Sequence, residues 1–92
     1  MKIKFEFRNK ELWLESDSRE FIIHEGFYVD PKTGTEHRIN SSYVYQFKQA
    51  IIYLLNKGIK FSDATTLKEL VEDYTNLKRI IRDGLDFGDV EE

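Results

Sequence analysis

Hydrophobic and polar residues alternate from the start of the chain. Ile3, Phe5 and Phe7 share one side of an extended segment, and Lys2, Lys4, Glu6 and Arg8 share the other. That two-residue period is the pattern of a half-buried strand. Asn9-Lys10 predicts a tight turn, because Asn tolerates positive φ. Leu12 and Leu14 then resume the inward face, with Trp13 on the outward one. Ser16-Asp17-Ser18 breaks the pattern as a loop. A third strand is expected from Glu20 to Val29, with a bulge at Gly26 resetting its parity. Asp30-Pro31-Lys32-Thr33-Gly34 is a turn with a mechanism: Asp accepts from the backbone, Pro sets φ at the first corner and Gly supplies a left-handed exit. Thr35 to Ile39 forms a fourth, more polar strand at an edge. With this hairpin pivoting about Lys32, His37 faces Phe27 and His24 faces Asn40.

From Ser41 the period lengthens to that of a helix. Phe47, Ala50, Ile51, Leu54 and Leu55 fall on one stripe, and Gly58 is placed as a C-terminal cap. A second helix is announced by a Thr66–Glu69 capping box. Lys78, Arg79 and Arg82 lie in its closing turns, where they suit the helix dipole, and Gly84 ends it. The expected fold is α+β: a four-stranded antiparallel β-meander followed by two α-helices packed on one face, ββββαα. It forms one domain over residues 1–84, with an acidic tail over 85–92.

Composition narrows the class. Ninety-two residues support one domain, and 40% hydrophobic content with 14% aromatic content is enough apolar material to fold despite 34% charge. With no cysteine, disulfides, Cys-ligated metal and thiol catalysis are excluded, and a reducing cytosol suits the chain. No apolar run reaches the length of a signal peptide or a membrane span, so a cytoplasmic protein without a membrane partner is expected. The net charge of −3 divides unevenly, +2 over residues 1–60 and −5 over 61–92. That balance argues against bulk binding to duplex DNA but leaves room for a local basic patch.

The motifs with chemical meaning resolve to ordinary ones. Two histidines without ligand spacing are expected to be ordinary strand residues. Asp86-Phe87-Gly88 copies a kinase tripeptide, but the chain has no room for the other kinase elements. The acidic residues near the C-terminus lack the alternating oxygen ligands of a calcium loop, and no phosphate cradle is present. The expectation is therefore no catalytic residue, no metal, no cofactor and no enzyme activity.

Two surfaces remain. The strand face turned away from the helices offers Trp13, Tyr28, Arg8 and Arg38 as candidates to grip a protein partner or, alternatively, to bind nucleic acid or a nucleotide by stacking. In the last helix Leu67, Leu70, Tyr74, Leu77 and Ile81 follow heptad spacing. Tyr45, Ile52 and Tyr53 are left over on the back of the first helix. This apolar excess predicts a homodimer through the two helices.

The run Phe61-Ser62-Asp63-Ala64-Thr65-Thr66-Leu67-Lys68-Glu69-Leu70 follows an amphipathic helix and a strand-rich first half. In this layout, in size, in lacking cysteine and in its Ser-Asp-Ala-x-x-Leu-capped final helix, the chain resembles small phage-encoded accessory proteins over residues 20–83. That group shares no common chemistry, so no residue's role carries across. The resemblance implies a protein-interaction module that binds and inhibits or modulates a host or phage factor, such as a defence system, in the host cytoplasm.

Overall fold

The computed structural model describes residues 1–87; the end of the expected tail, 88–92, lies outside the described residues. Among the described residues the chain runs β1 (Lys2–Phe7), β2 (Lys10–Ser16), β3 (Phe21–His24), β4 (Phe27–Val29), β5 (Glu36–Arg38), β6 (Ser42–Val44), α1 (Phe47–Ile59) and α2 (Leu67–Phe87). The fold is α+β. An antiparallel sheet of order β1-β2-β3-β6 carries both helices on one face, and β4 and β5 form a separate two-stranded ribbon.

The alternation read from the sequence sets which side is buried. Ile3, Phe5 and Phe7 meet Leu12, Leu14 and Ile23 on the inner face, closed by Ala50 and Leu54 of α1 and by Leu77 and Ile81 of α2. Leu77 and Ile81 are therefore core residues, which corrects their assignment to a self-association seam. Tyr45 also moves: it lies in the β6–α1 connection, not on the helix.

Several boundaries differ from expectation for physical reasons. The first turn is Arg8–Asn9, with φ of 54° and 60°, between the paired residues Phe7 and Lys10. Arg8 is thereby lifted off the strand face, and its guanidinium lies 2.6 Å from Asp73 on α2. Gly26, at φ +124°, is a corner rather than a bulge and divides the expected third strand into β3 and β4. In the following hairpin Phe27 pairs with Arg38 and Tyr28 with His37, one residue out of the expected register. The turn itself forms as expected: Asp30 accepts from the Lys32 N–H at 2.8 Å, and Gly34 exits at φ +72°. Because the chain leaves the main sheet at Gly26, the fourth place beside β3 falls to β6, a segment whose sequence is read as the start of a helix. Val44 points into the core there, and Tyr43 points away.

Both helical glycines serve close packing. Gly58 lies inside α1, where a Cβ would fall 2.7 Å from Leu77 Cδ2 and 2.9 Å from Leu12 Cδ1. Gly84 lies inside α2, which continues to Phe87, and a Cβ there would overlap the Phe5 ring. These glycines let both helices sit close to the sheet, and neither acts as a cap.

Two stability changes follow. Gly84→Ala gains about 1 kcal/mol of helix propensity but overpacks against a rigid ring, a cost of about 1–3 kcal/mol. A net loss of stability in denaturant melts is expected; a gain would show that Phe5 gives way. At the start of α2, Thr66 Oγ1 accepts from the Glu69 N–H at 3.2 Å, and the Glu69 carboxylate reaches one residue further back, to the Thr65 N–H, at 2.9 Å. Thr66→Ala is expected to cost about 0.5–2 kcal/mol, and an unchanged melting temperature would place the cap elsewhere.

Candidate functional site

The outer face of the sheet is built around His24. Position 24 follows Ile22 on the outward parity of β3, and its partner across β2 is Trp13. The two rings stack, 5.8 Å apart and 5° from parallel. Phe27, the first residue beyond the Gly26 corner, packs edge-on against both, 4.6 Å from His24 and 5.3 Å from Trp13. Lys2 lies over Phe27 and Trp13, and Lys4 over Trp13. As a result His24 is 0% exposed.

Burying an imidazole requires that both nitrogens find partners. Nε2 lies 2.5 Å from Glu15 Oε2, and Nδ1 lies 3.2 Å from the Gly26 N and 3.1 Å from the Gly26 O. In the neutral ring Nε2–H donates to Glu15, and Nδ1 accepts from the Gly26 N–H. Glu15 in turn accepts a forked pair from Arg38, Nε at 2.9 Å and Nη2 at 3.1 Å, the planar geometry that suits guanidinium and carboxylate. On the same face Trp13 Nε1 donates to Glu11, which also meets Lys4.

These contacts join the ribbon to the body. Arg38 closes β5 and Phe27 opens β4, and among the described residues neither strand adds a side chain to the core cluster. Two backbone bonds, Glu25 N–H to Ile39 O and Ile39 N–H to Gly26 O, tie the strands at their base. Lys57 of α1 donates to the Asn40 carbonyl at 2.7 Å. Beyond the root the ribbon is bare: Tyr28 is 54% exposed and stacks on His37, Val29 is exposed, and so is all of β5.

The four candidate partner-binding residues are thus not one patch. Trp13 and Arg38 are structural members of the root. Arg8 is turned to Asp73, whose carboxylate also accepts from Ser62; of the four, only Tyr28 stands free on the arm. The self-association candidates Ile52 and Tyr53 are exposed on α1, and Leu67, Leu70 and Tyr74 are exposed on the first turns of α2. Sequence reasoning missed Glu15, Phe27 and the role of His24. The available signal was the pairing of the second and third strands across Asp17–Glu20, which sets Trp13 opposite His24.

A histidine held by a carboxylate is the pairing used for proton transfer. Here both nitrogens are engaged and no atom of the ring is open to a substrate, so the arrangement positions the arm instead. Among the described residues no three His, Cys, Asp or Glu side chains gather closely enough to hold a metal ion, and no helix is long and apolar enough to cross a membrane.

The network makes stability depend on pH. Burial is the main influence on His24 and lowers its pKa below the ordinary 6.5, although Glu15 opposes the shift. The fold favours the neutral ring, so this contribution is complete above about pH 6.5 and is lost as the pH falls below that value. Burial raises the Glu15 pKa, but the hydrogen bonds from Arg38 and His24 outweigh it, and the carboxyl sits below its ordinary 4.5. Its contribution disappears in a second step, at lower pH. The unfolding free energy from denaturant melts is expected to fall between about pH 7.5 and about pH 5.5, by at most about 1.4 kcal/mol per pH unit for one proton. His24→Gln should flatten that dependence; an equally steep slope in the variant would assign it to another group.

No protein-family model, curated protein or solved structure matches the chain, so what the site does is read from its own geometry.

Proposed function

We propose that the chain is a non-catalytic protein-interaction module whose recognition element is the β4–β5 arm. The observation that carries this reading is the contrast between the two ends of the arm. Its root is held by a buried His24, linked through Glu15 to Arg38, and by three packed rings, whereas its strands add nothing to the core and expose Tyr28 and Val29. A ribbon fixed at one end and bare at the other is held out toward a partner. Aromatic side chains on a fixed support lose little entropy on binding, and interface energy concentrates on them.

Charge favours protein over a polyanion. Asp30 and Glu36 balance Lys32 and Arg38 along the arm, which gives no phosphate-neutralising stripe. The nucleic-acid alternative also loses its stacking platform, because Trp13 is already stacked on His24. The resemblance to phage accessory proteins agrees with this reading, and binding of a host or phage factor that is thereby inhibited or modulated is the proposed consequence.

Comparison of the wild type with Tyr28→Ser/Val29→Ser tests the proposal. Both positions lie outside the core, so the double variant should melt with the wild type. It should capture the protein partner from host lysate at least about tenfold less well. Undiminished capture by the variant would overturn the reading, as would binding of a single-stranded oligonucleotide that weakens steeply with salt.

A further inference from the structure

The arm leaves the body of the protein and returns to it at two residues with positive φ, Gly26 at +124° and Asn40 at 50°. Positions of this kind at the ends of elements are where a segment pivots. Nothing between them enters the core cluster, so the arm can move without disturbing the inner face. At the first pivot the His24 ring is seated between two peptide groups. Nδ1 lies 3.2 Å from the Gly26 N and 3.1 Å from the Gly26 O, atoms that belong to the peptides on either side of the Gly26 Cα. The neutral ring accepts from the N–H and leaves the carbonyl facing a lone pair. A protonated ring can only donate, so it turns to the carbonyl and sets its own N–H against that of Gly26. One proton therefore changes which side of the pivot the ring holds. The Gly26 carbonyl is also part of the base of the arm, because it accepts from the Ile39 N–H at 2.9 Å.

The charges around the ring leave no place for another cation. Glu15 of β2 is the carboxylate in contact, and its Oε2 already accepts from Arg38 of β5 at 2.9 Å as well as from His24 at 2.5 Å. Glu11 of β2 is taken by Trp13 and Lys4, and Lys4 of β1 is shared with Glu6. Lys2 of β1 lies over Phe27 and Trp13, the two rings packed against His24. Tyr43 of β6 lies beside Arg38. An imidazolium here is a buried charge that divides its counter-ion with a guanidinium, and a buried charge without a partner of its own is costly. Withdrawal of Phe27 and Arg38, both part of the arm, opens the ring to water and relieves that cost.

We propose that His24 is a proton-operated latch for the arm. The neutral ring holds the ribbon against the sheet; protonation releases the root, and the ribbon swings about Gly26 and Asn40 while the sheet and helices stay folded. Burial, which holds the pKa of the ring below its ordinary 6.5 against the pull of Glu15, acts in the same direction. Only the consequence rests on the arm as recognition element: acid withdraws Tyr28 and Val29 from the orientation in which a partner meets them.

Amide hydrogen exchange on the full chain, corrected for the intrinsic rate at each pH, tests the latch without a partner. Glu25 and Ile39 donate the two bonds at the base of the arm and report its opening. In the open arm the ring returns to a pKa of about 6.5. One proton then predicts a loss of protection of about three- to tenfold at these two amides between about pH 7.5 and about pH 5.5. Opening of the arm exposes little surface, so low urea should leave their exchange unchanged while it speeds that of the β1 and β2 amides, which exchange by unfolding. His24→Gln should abolish the pH dependence at Glu25 and Ile39. A control that needs no variant is the His24 ring itself: the loss of protection should level off where its nuclear magnetic resonance signals titrate. Protection that does not change with pH would overturn the latch, as would an undiminished loss in His24→Gln. So would arm-base amides that respond to urea as β1 and β2 do, because the proton would then act on the whole fold. The measurement involves no partner, so failure of the proposed function leaves it standing, and failure of the latch leaves the arm a fixed recognition element.

Discussion

The outer face of the sheet carries Trp13, Ile22 and a histidine with no exposed atom, and the helices are all on the other side. Something else has to close it, and the root of the β4–β5 ribbon does so. A buried imidazole is costly unless each nitrogen has a partner, and the partners available are Glu15 on the neighbouring strand and the backbone of Gly26. To reach the ring, the chain must turn sharply at Gly26, where φ is +124° and a Cβ would fall 2.8 Å from Glu11 Oε2. That turn carries Phe27 onto the Trp13–His24 stack and directs everything up to Ile39 away from the main sheet. The place beside β3 then passes to β6, and the start of α1 follows from there.

The same constraint explains why an exposed two-stranded ribbon can have a defined direction. An isolated hairpin is marginal in water, and this one buries little of its own. Its orientation comes from Arg38 forked onto Glu15 and from Phe27 edge-on to two rings, all at its base. Every buried side-chain nitrogen and oxygen among the described residues has a partner, so the network carries no orphaned group to offset the rigidity it provides. On the inner face the close approaches at Gly58 and Gly84 do the comparable work for the helices. The two faces are thus organised by different means, polar and aromatic on one side, aliphatic and aromatic close packing on the other.

The free edges of the main sheet are guarded by charge and by brevity. β1 presents Lys2, Lys4 and Glu6 on its outer face, and Lys4 is shared between Glu6 and Glu11. β6 is only three residues long. Both devices discourage strand addition.

Local physics determined what could be read from the sequence alone. The alternation of β1 and β2, the Asp30–Gly34 turn, the apolar stripe of α1 and the Thr66 start of α2 each depend on residues within a few positions of one another, so period, turn chemistry and capping sufficed. The α+β class followed from them. What the sequence did not disclose depended on contacts between distant segments. Gly58 and Gly84 carry a helix-ending signal, and only the proximity of Leu77, Leu12 and Phe5 turns them into packing positions. Leu77 and Ile81 share a heptad pattern with Leu67, Leu70 and Tyr74, and the reach of α1 and the sheet decides which of these are core. Trp13 and Arg38 look like a binding face until His24, Glu15 and Phe27 arrive from three other points in the chain. A side chain's type and spacing determine the face it occupies; whether that face is buried, clamped or free is decided by what the tertiary fold lays against it, because burial is a property of the neighbours.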